Sequence, residues 1–234
     1  EFVMARSTDE LKRLAAEKAA LFLEGVHVLG LGTGSTAAHF VEVVGEMVQS
    51  GVLGNMVAIP TSVATEEQAH GLGIPIADLE RYPQVDLTVD GADEVSRDLD
   101  LIKGLGGALT REKIVASASR ELIIVADDSK MVTALGEKSP LPVEVMPFGW
   151  KTVGLELQNL GAKPDLRCKG GKPFETDQGN YIFDCMFDAG ITEPDAIGRL
   201  IDSIPGVVAQ GMFLGMADRV IIASEDGARV LERS

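Results

Sequence analysis

The stretch VHVLGLGTGSTAAHFVEVVGEMVQSG, residues 26–51, decides the fold class of this chain. A short apolar run, VHVLGLG, ends in glycines, and the residues that follow carry apolar side chains at the three- and four-residue spacing of a helix. This pattern predicts a β-strand, a tight turn and an α-helix. That unit is the building block of parallel α/β sheets.

The same alternation continues along the chain. Further strand-like runs lie at residues 56–60, 85–91 and 121–128, and further helix-like runs lie at residues 62–73 and 107–120. We therefore predict an α/β fold with a doubly wound, mainly parallel sheet that has helices on both faces. In such sheets ligands bind beyond the carboxyl ends of the strands, where the loops after several strands converge.

The pattern changes near residue 137, where three prolines fall within ten residues. The following elements read as βαββαβ, which predicts a smaller, inserted α+β domain of the ferredoxin-like type at residues 137–212. Residues 1–136 and 213–234 then form the larger α/β domain. The tail, DRVIIASEDGARVLERS, predicts a strand and a helix that complete the main sheet.

Composition limits the possible functions. Of 234 residues, 45% are apolar and 24% are charged, as in globular proteins, and no apolar run approaches the roughly 20 residues of a membrane span. The first 25 residues lack the pattern of a signal peptide, and residues 1–3 read as a cloning remnant before Met4, so we expect a cytoplasmic protein. A net charge of −15 argues against nucleic acid, so an anionic ligand needs a local site.

The first candidate site is the turn GLGTGST, residues 30–36. Its glycines permit a tight backbone, and Thr33, Ser35 and Thr36 place hydroxyls and N–H groups at the start of a helix, where an anion is favoured. Ser35 stands where a dinucleotide fingerprint needs glycine, and the G-K-[ST] ending of a P-loop is missing. The alternative is an ordinary strand-to-helix turn with Ser or Thr as its N-cap.

The second candidate site follows the strand at residues 85–91. Asp90 and Asp93 lie on the turn after it, although aspartates in turns often only bind their own backbone. Lys103 precedes a glycine-rich loop, and Lys130 follows another strand end; either lysine alone is more often a surface charge. Glu112 lies in the first turns of a helix, and its spacing alone favours a surface residue paired along that helix.

These segments together resemble a known family. GLGTGSTAAHF, PTSVATEEQA, DLTVDGADE, LIKGLGGALTREKIVASAS, VADDSKMV, LGEKSPLPVEVMPF and IPGVVAQGMF are similar, in order and spacing, to ribose-5-phosphate isomerases of the A type. The resemblance runs from about Leu11 to the end. It implies interconversion of D-ribose 5-phosphate and D-ribulose 5-phosphate in the non-oxidative pentose phosphate pathway, with no metal or cofactor. It also implies a homodimer or a dimer of dimers.

The resemblance further implies roles for individual residues. The proton-transfer site falls on Glu112, which acts as the base, with Asp90, Asp93 and Lys103. Substrate-binding positions are Thr33, Gly34, Ser35, Thr36, Asp90, Gly91, Ala92, Asp93, Lys103, Gly104, Leu105, Gly106 and Lys130. Leu105 departs from the pattern, because many members have glycine there. We expect it to shape the loop without removing activity.

Other classes of protein remain as alternatives. A sugar-phosphate-binding regulatory module with the same fold binds its ligand without catalysis, but such a regulator also needs a DNA-binding segment. An amino-sugar phosphate deaminase is expected to use a catalytic histidine, and a coenzyme A transferase is expected to have a larger chain. Ser35 disfavours a dehydrogenase.

Overall fold

A computed structural model of the chain describes residues 6–233. Its α-helices are α1 (Thr8–Ala20), α2 (Ser35–Gln49), α3 (Val63–Gly71), α4 (Leu109–Ala118), α5 (Trp150–Asn159) and α6 (Pro194–Asp202). Its strands are β1 (Val28–Leu31), β2 (Val57–Pro60), β3 (Leu87–Gly91), β4 (Glu94–Val95), β5 (Leu101–Ile102), β6 (Leu122–Asp127), β7 (Leu141–Val145), β8 (Lys163–Leu166), β9 (Cys168–Lys169), β10 (Lys172–Pro173), β11 (Tyr181–Met186), β12 (Val207–Gln210), β13 (Met212–Phe213), β14 (Arg219–Ser224) and β15 (Gly227–Glu232). The cloning remnant suggested for residues 1–3 lies outside the described residues.

The chain forms two compact units. The first contains the residues up to Gly91, Arg111–Lys130 and the residues from Met216 onward; the second contains Ala92–Thr110 and Met131–Gly215. Residues 92–110 cluster with the second unit, whereas the predicted boundaries assign them to the larger domain. Where separately folding domains begin and end stays a prediction.

The first unit is a six-stranded sheet in the order β15-β14-β6-β3-β1-β2. All neighbouring pairs are parallel except β14 with β15. Leu29 and Leu31 of β1 point to a core shared with α1 and α2, whereas Val28 points to the opposite face, where it packs with Val115 of α4. The predicted doubly wound sheet with helices on both faces is therefore confirmed.

The second unit contains the predicted βαββαβ element order. Its four-stranded sheet has the order β12-β7-β11-β8 with antiparallel neighbours, which is the ferredoxin-like arrangement. Helices α5 and α6 supply Val153, Leu157 and Ile201 to its buried core. A small antiparallel sheet, β13-β5-β4, also belongs to this unit and was not predicted.

The tail differs from its predicted structure. Residues after β14 form a second strand, β15, and not a helix, and the two strands pair along their whole length from Arg219↔Glu232 to Ser224↔Gly227. Gly227 has φ +123°, a conformation that favours glycine and allows the tight turn between them. Within residues 6–233 no helix has the length and apolar character that crossing a membrane requires.

Candidate active site

In the first unit, the turn between β1 and α2 lies against the end of β3. The N–H of Thr33 donates to Oδ1 of Asp90 (3.0 Å), and the N–H of Gly32 donates to the carbonyl of Val89 (2.9 Å). Gly32 is required here, because a Cβ atom on it would lie 2.4 Å from the Cα atom of Asp90. Two of the predicted site segments therefore meet at Asp90.

The hydroxyl of Thr33 belongs to a cluster of hydroxyl groups beneath this turn. It lies 2.8 Å from Oγ1 of Thr61, donates to Oγ of Ser62 at 2.8 Å, and lies 3.1 Å from Oγ1 of Thr65. The three partners are all buried. Thr65 in turn donates its hydroxyl to the carbonyl of Gly32 (3.0 Å). The side chain of Thr33 thus fixes the shape of the turn.

Helix α2 starts directly after this turn. Its N-cap, Gly34, has φ 103°, which favours glycine, and it offers no side chain to cap the helix. The first turn of this described helix holds no acidic side chain, Ser35 is exposed, and Thr36 is buried. The first N–H groups of any helix lack acceptors within the helix and carry partial positive charge. This helix start is therefore suited to a phosphate.

Asp90 is buried at the carboxyl end of β3, with 1% of its surface exposed. Its Oδ1 atom accepts from the N–H of Gly91 (2.7 Å) as well as from Thr33. The carboxylate therefore fixes both the turn that contains Thr33 and the turn that follows β3 at Gly91. Gly91 and Ala92, which follow it in the sequence, are half-buried.

Glu112 lies in the first turn of α4 with only 4% of its surface exposed. Val115, three residues later on the same helix, packs with Val28 and Ile59 of the sheet. The expectation from spacing alone, a surface glutamate, is therefore wrong. A buried carboxylate is the type of group that enzymes use to move protons to and from carbon.

Lys130 ends a short 3₁₀ turn, Asp128–Lys130, that follows β6. Asp127, which is buried, accepts from the N–H of Ser129 (3.0 Å) and also from its hydroxyl. These bonds set the path of the turn that carries Lys130. The lysine is half-buried, so its charge is close to the protein surface without being fully solvated.

In the second unit, Asp93 meets the glycine-rich loop at residues 103–107. Its N–H donates to the carbonyl of Ile102 (2.8 Å), and its Oδ2 atom accepts from the N–H of Leu105 (3.0 Å). The N–H of Gly107 donates to the carbonyl of Gly104 (3.0 Å), which closes the loop as a turn. The structure thus brings together a second pair of predicted segments.

Lys103 is buried, with 2% of its surface exposed. Its N–H donates to the carbonyl of Gly211 (2.9 Å), and its Nζ atom lies 5.4 Å from the ring centroid of Phe213. A cation over an aromatic face is favourable, and this contact offsets part of the cost of burying the ammonium group. Lys103 is therefore not the solvated surface charge that a lone lysine usually is.

The loop accommodates leucine at position 105. Among residues 6–233, the non-glycine residue with positive φ is Leu99, so the backbone at Leu105 does not need glycine. The Leu105 side chain is 41% exposed, and Gly106 beside it is also exposed. The departure from the family pattern therefore causes no local strain.

Arg167 was not recognised in the sequence, although it contacts this loop. Its Nη1 atom donates to the carbonyls of Gly104 (3.1 Å) and Leu105 (3.0 Å), and its other nitrogens bind Asp184. Arg167 follows β8 and Asp184 lies in β11, about 60 to 80 residues after the loop. Only the folded chain reveals such a long-range contact.

The cysteines take no part in these sites. Cys168 is exposed on β9, and Cys185 is buried in β11. Burial, with a smaller effect from the charge of Asp184, raises the pKa of Cys185 to about 12, so its thiol stays protonated at neutral pH. Among residues 6–233 no group of three or more His, Cys, Asp or Glu side chains is arranged to hold a metal ion.

A doubly wound α/β unit with a helix start suited to an anion and a buried carboxylate indicates the class: an enzyme that acts on a small phosphorylated substrate. The sequence model of one family, ribose 5-phosphate isomerase A (phosphoriboisomerase A), matches residues 57–227. The chain belongs to this family.

Relatives of similar length agree with this assignment. A ribose-5-phosphate isomerase A of Gloeobacter violaceus is 52% identical and is matched over 97% of this chain and 97% of its own. A probable ribose-5-phosphate isomerase 2 of Arabidopsis thaliana is 49% identical, over 97% of this chain and 88% of its own. A solved D-ribose-5-phosphate isomerase in complex with phospho-erythronic acid is 40% identical, with a TM-score of 0.94 over 97% of this chain and 100% of its own.

The chain is accordingly an isomerase, with the activity of its family: interconversion of D-ribose 5-phosphate and D-ribulose 5-phosphate. The sequence-based prediction of this function is confirmed. The comparisons do not support the alternative of a non-catalytic regulatory module.

Proposed function

We propose that the isomerisation runs by proton transfer through an enediolate, with Glu112 as the base. In the aldose direction its carboxylate removes the C2 proton, the electrons of that C–H bond form the C1–C2 double bond, and the electrons of the C1 carbonyl move onto its oxygen. The C1 oxygen takes up a proton and the hydroxyl at C2 loses one, so that return of the abstracted proton from Glu112 to C1 leaves a carbonyl at C2. The near-complete burial of Glu112 is the observation that carries this proposal, since a surface carboxylate is a poorer base for a carbon-bound proton.

Negative charge that develops on the substrate oxygens needs positive partners. We propose that Lys103 and the backbone amides of Gly104 and Gly106 supply them, with Asp93 holding sugar hydroxyls and, through its bond to the Leu105 N–H, the backbone of the loop. Lys103 supports this proposal because it is a buried cation, and buried charges act strongly on nearby charge.

The remaining residues serve binding and ring opening in this scheme. The phosphate binds the helix start formed by Thr33, Gly34, Ser35 and Thr36, with Lys130 as a further cation, and Thr33 contributes by shaping the turn. Asp90 assists opening of the furanose ring by proton transfer, and Gly91 and Ala92 line the sugar. The hydrogen bonds between Asp90 and the Thr33 turn support a shared role for these two segments.

Several broader features belong to the same proposal. The enzyme acts in the non-oxidative pentose phosphate pathway without metal or cofactor, binds neither nucleic acid nor membrane, and forms a homodimer or a dimer of dimers. We also propose a cytoplasmic location. One relative, 48% identical, is named as a chloroplastic protein of Arabidopsis thaliana, so the location differs within the family.

The proposal is tested with Glu112→Gln, assayed with ribose 5-phosphate in D₂O that contains EDTA. We expect kcat to fall by about 10² to 10⁴, because that is the usual contribution of a general base, and exchange of the C2 proton with solvent to fall with it. The matched control is Glu66→Gln, since Glu66 also lies in the first turn of a helix, α3, but is exposed. Phospho-erythronic acid, measured by calorimetry, should still bind the Glu112 variant.

The result that would contradict the base assignment is a Glu112→Gln enzyme that keeps more than about a tenth of the wild-type kcat. Loss of wild-type activity in EDTA would contradict the metal-free scheme. Ketose formation without any exchange of the C2 proton would instead favour a hydride shift between C2 and C1.

A further inference from the structure

Arg167 binds the back of the loop that carries Lys103. One guanidinium nitrogen, Nη1, donates to both the Gly104 carbonyl (3.1 Å) and the Leu105 carbonyl (3.0 Å). The other two nitrogens form a forked pair with Asp184: Nε donates to Oδ2 (2.9 Å) and Nη2 donates to Oδ1 (2.5 Å). Arg167 is 14% exposed and Asp184 is 25% exposed, so this pair is largely withdrawn from solvent.

The two carbonyl contacts determine where the amides of the loop point. In a trans peptide the C=O and the N–H lie in one plane and point in opposite directions. The carbonyl of Gly104 faces Arg167, and the N–H in the same peptide, that of Leu105, donates to Oδ2 of Asp93 on the other side. The Leu105 carbonyl likewise directs the N–H of Gly106 away from the guanidinium. The N–H groups of Leu105 and Gly106 therefore both point away from Arg167, toward the side of the loop where Asp93 lies.

The guanidinium is itself held in place. Asp184 binds it in the bidentate geometry that suits arginine and not lysine. The ring of Phe174 stacks beside it, with its centroid 5.8 Å from the Arg167 Cζ atom. Phe174 also touches the end of the loop, since a Cβ atom on Gly107 would lie 2.6 Å from its Cζ atom. The loop, the arginine and the aromatic ring therefore form one packed cluster.

We propose that Arg167 is a positioning residue for the isomerase reaction: it holds the peptides of Leu105 and Gly106 so that the Gly106 N–H faces the enediolate while the Leu105 N–H stays bound to Asp93, and Asp184 anchors it. This inference rests on the proposed role of the loop amides. Donors that are fixed before the reaction lower the energy of a developing oxyanion, whereas a mobile loop would have to be ordered at the moment of reaction. The carbonyl-bound cation also draws electron density from these peptides and so strengthens their N–H groups as donors.

The test compares Arg167→Met with Arg219→Met. Arg219 is a matched control, because it too is partly buried, pairs with a carboxylate (Glu232, 2.8 Å) and lies over an aromatic ring (Phe22, 5.2 Å), but it lies at the start of β14 in the first unit. We expect Arg167→Met to lower kcat by about 10- to 100-fold with little change in KM, because the loop acts on the developing charge and the phosphate binds elsewhere. Arg219→Met should leave kcat nearly unchanged.

A binding measurement separates positioning from a merely structural role. Phospho-erythronic acid carries a carboxylate where the enediolate carries its oxygens, whereas inorganic phosphate probes the phosphate site alone. Arg167→Met should weaken binding of the acid and leave binding of inorganic phosphate unchanged. Arg167→Lys, which keeps the cation but loses the fork, should give an intermediate kcat; it replaces Arg167→Met if that variant does not fold.

An Arg167 variant with wild-type kcat, or with equal losses for the acid and for inorganic phosphate, overturns the inference. Either outcome can be distinguished from failure of the base assignment, because that failure would be seen as a Glu112→Gln enzyme that remains active.

Discussion

Asp86 illustrates how one carboxylate organises the sheet at the scale of a single residue. It precedes β3, and its Oδ2 atom accepts from the N–H groups of His27 and Val28 (both 3.0 Å), where β1 begins. Burial alone would raise the pKa of Asp86, but the two backbone hydrogen bonds and the nearby charge of Arg120 outweigh it and lower the pKa. The ionised carboxylate therefore stabilises the folded state.

We predict that Asp86→Asn lowers the free energy of unfolding by about 1 kcal/mol at neutral pH, because a neutral amide accepts these bonds less strongly. A carboxyl group with a lowered folded-state pKa contributes stability above its unfolded pKa, near 3.8, and loses it as the pH falls through the lower folded-state value. The difference in Tm between variant and wild type should thus be constant near neutral pH and shrink in acid. Exposed Asp98 gives the control, Asp98→Asn, and a pH-independent difference for Asp86→Asn would contradict the prediction.

Individual site residues were only partly predictable from the sequence. The glycines and hydroxyls of the turn at residues 30–36, with Asp90 at the end of β3 and Asp93 just after it, stand out locally, because their chemistry is unusual for an ordinary turn. Glu112 does not stand out in the sequence, because a glutamate in a helix is normally solvated. Whether it is buried depends on which face of the helix packs against the sheet. The partners of Thr33 and of Leu105, among them Arg167, lie far away in the sequence, so no local pattern reveals them.

At the scale of elements, the tail shows how pairing outweighs local preference. The residues after Ser224 include good helix formers such as Arg, Leu and Glu, which favoured a helix. The Asp226–Gly227 pair is instead a strong hairpin signal, and the strand that it starts gains a full antiparallel partner in β14. The backbone hydrogen bonds that β15 forms with β14 stabilise the strand by more than the small differences in helix propensity favour a helix.

Glu144 joins several elements of the second unit through one buried carboxylate. It lies in β7 with none of its surface exposed. Its Oε2 atom accepts from the hydroxyl of Thr110 at the start of α4 (2.6 Å), and its Oε1 atom accepts from Thr176 and Asn180 (both 2.9 Å). The three donors would lose their acceptor if the carboxylate were removed.

We therefore predict that Glu144→Ala lowers the free energy of unfolding by about 3 kcal/mol or more, because buried donors without acceptors and a cavity both cost stability. Glu144→Gln should lower the free energy of unfolding far less. The glutamine oxygen can accept from Thr176 and Asn180, and the glutamine NH₂ group can donate to the hydroxyl of Thr110, because a hydroxyl can accept as well as donate. Urea unfolding measures both values. Equal losses for the two variants would show that the charge, and not the hydrogen-bond network, is what the fold requires.

At the scale of the whole molecule, the order of the longer strands and helices between β1 and β14 was predictable, because each of these elements carries its own periodicity. The βαβ alternation specified the parallel sheet, and the βαββαβ order specified the ferredoxin-like sheet. The small sheet β13-β5-β4 was not predictable, because strands of two residues have no period to detect. Its formation explains why residues 92–110 cluster with the second unit and not with the strand that precedes them.

The net charge of −15 opposes the binding of a substrate that is a dianion near neutral pH, because like charges repel. The net charge of the whole chain repels this substrate, whereas the lysines of the proposed site, Lys103 and Lys130, are proposed to attract it locally. Added salt screens the long-range repulsion more than contacts inside a buried site, because the Debye length falls from about 30 Å at 10 mM to about 8 Å at 150 mM. We predict that KM for ribose 5-phosphate falls about two- to fivefold over this range while kcat stays constant.

The measurement uses initial rates in sodium chloride and in tetramethylammonium chloride, without phosphate or sulfate, which would compete for the anion site. Equal effects of the two salts identify screening, whereas a difference between them indicates binding of a specific cation. A KM that rises with salt would contradict the prediction and show that the local cations dominate the approach of the substrate. Because salt screens charges inside a buried site only weakly, the predicted fall in KM isolates the contribution of the acidic surface.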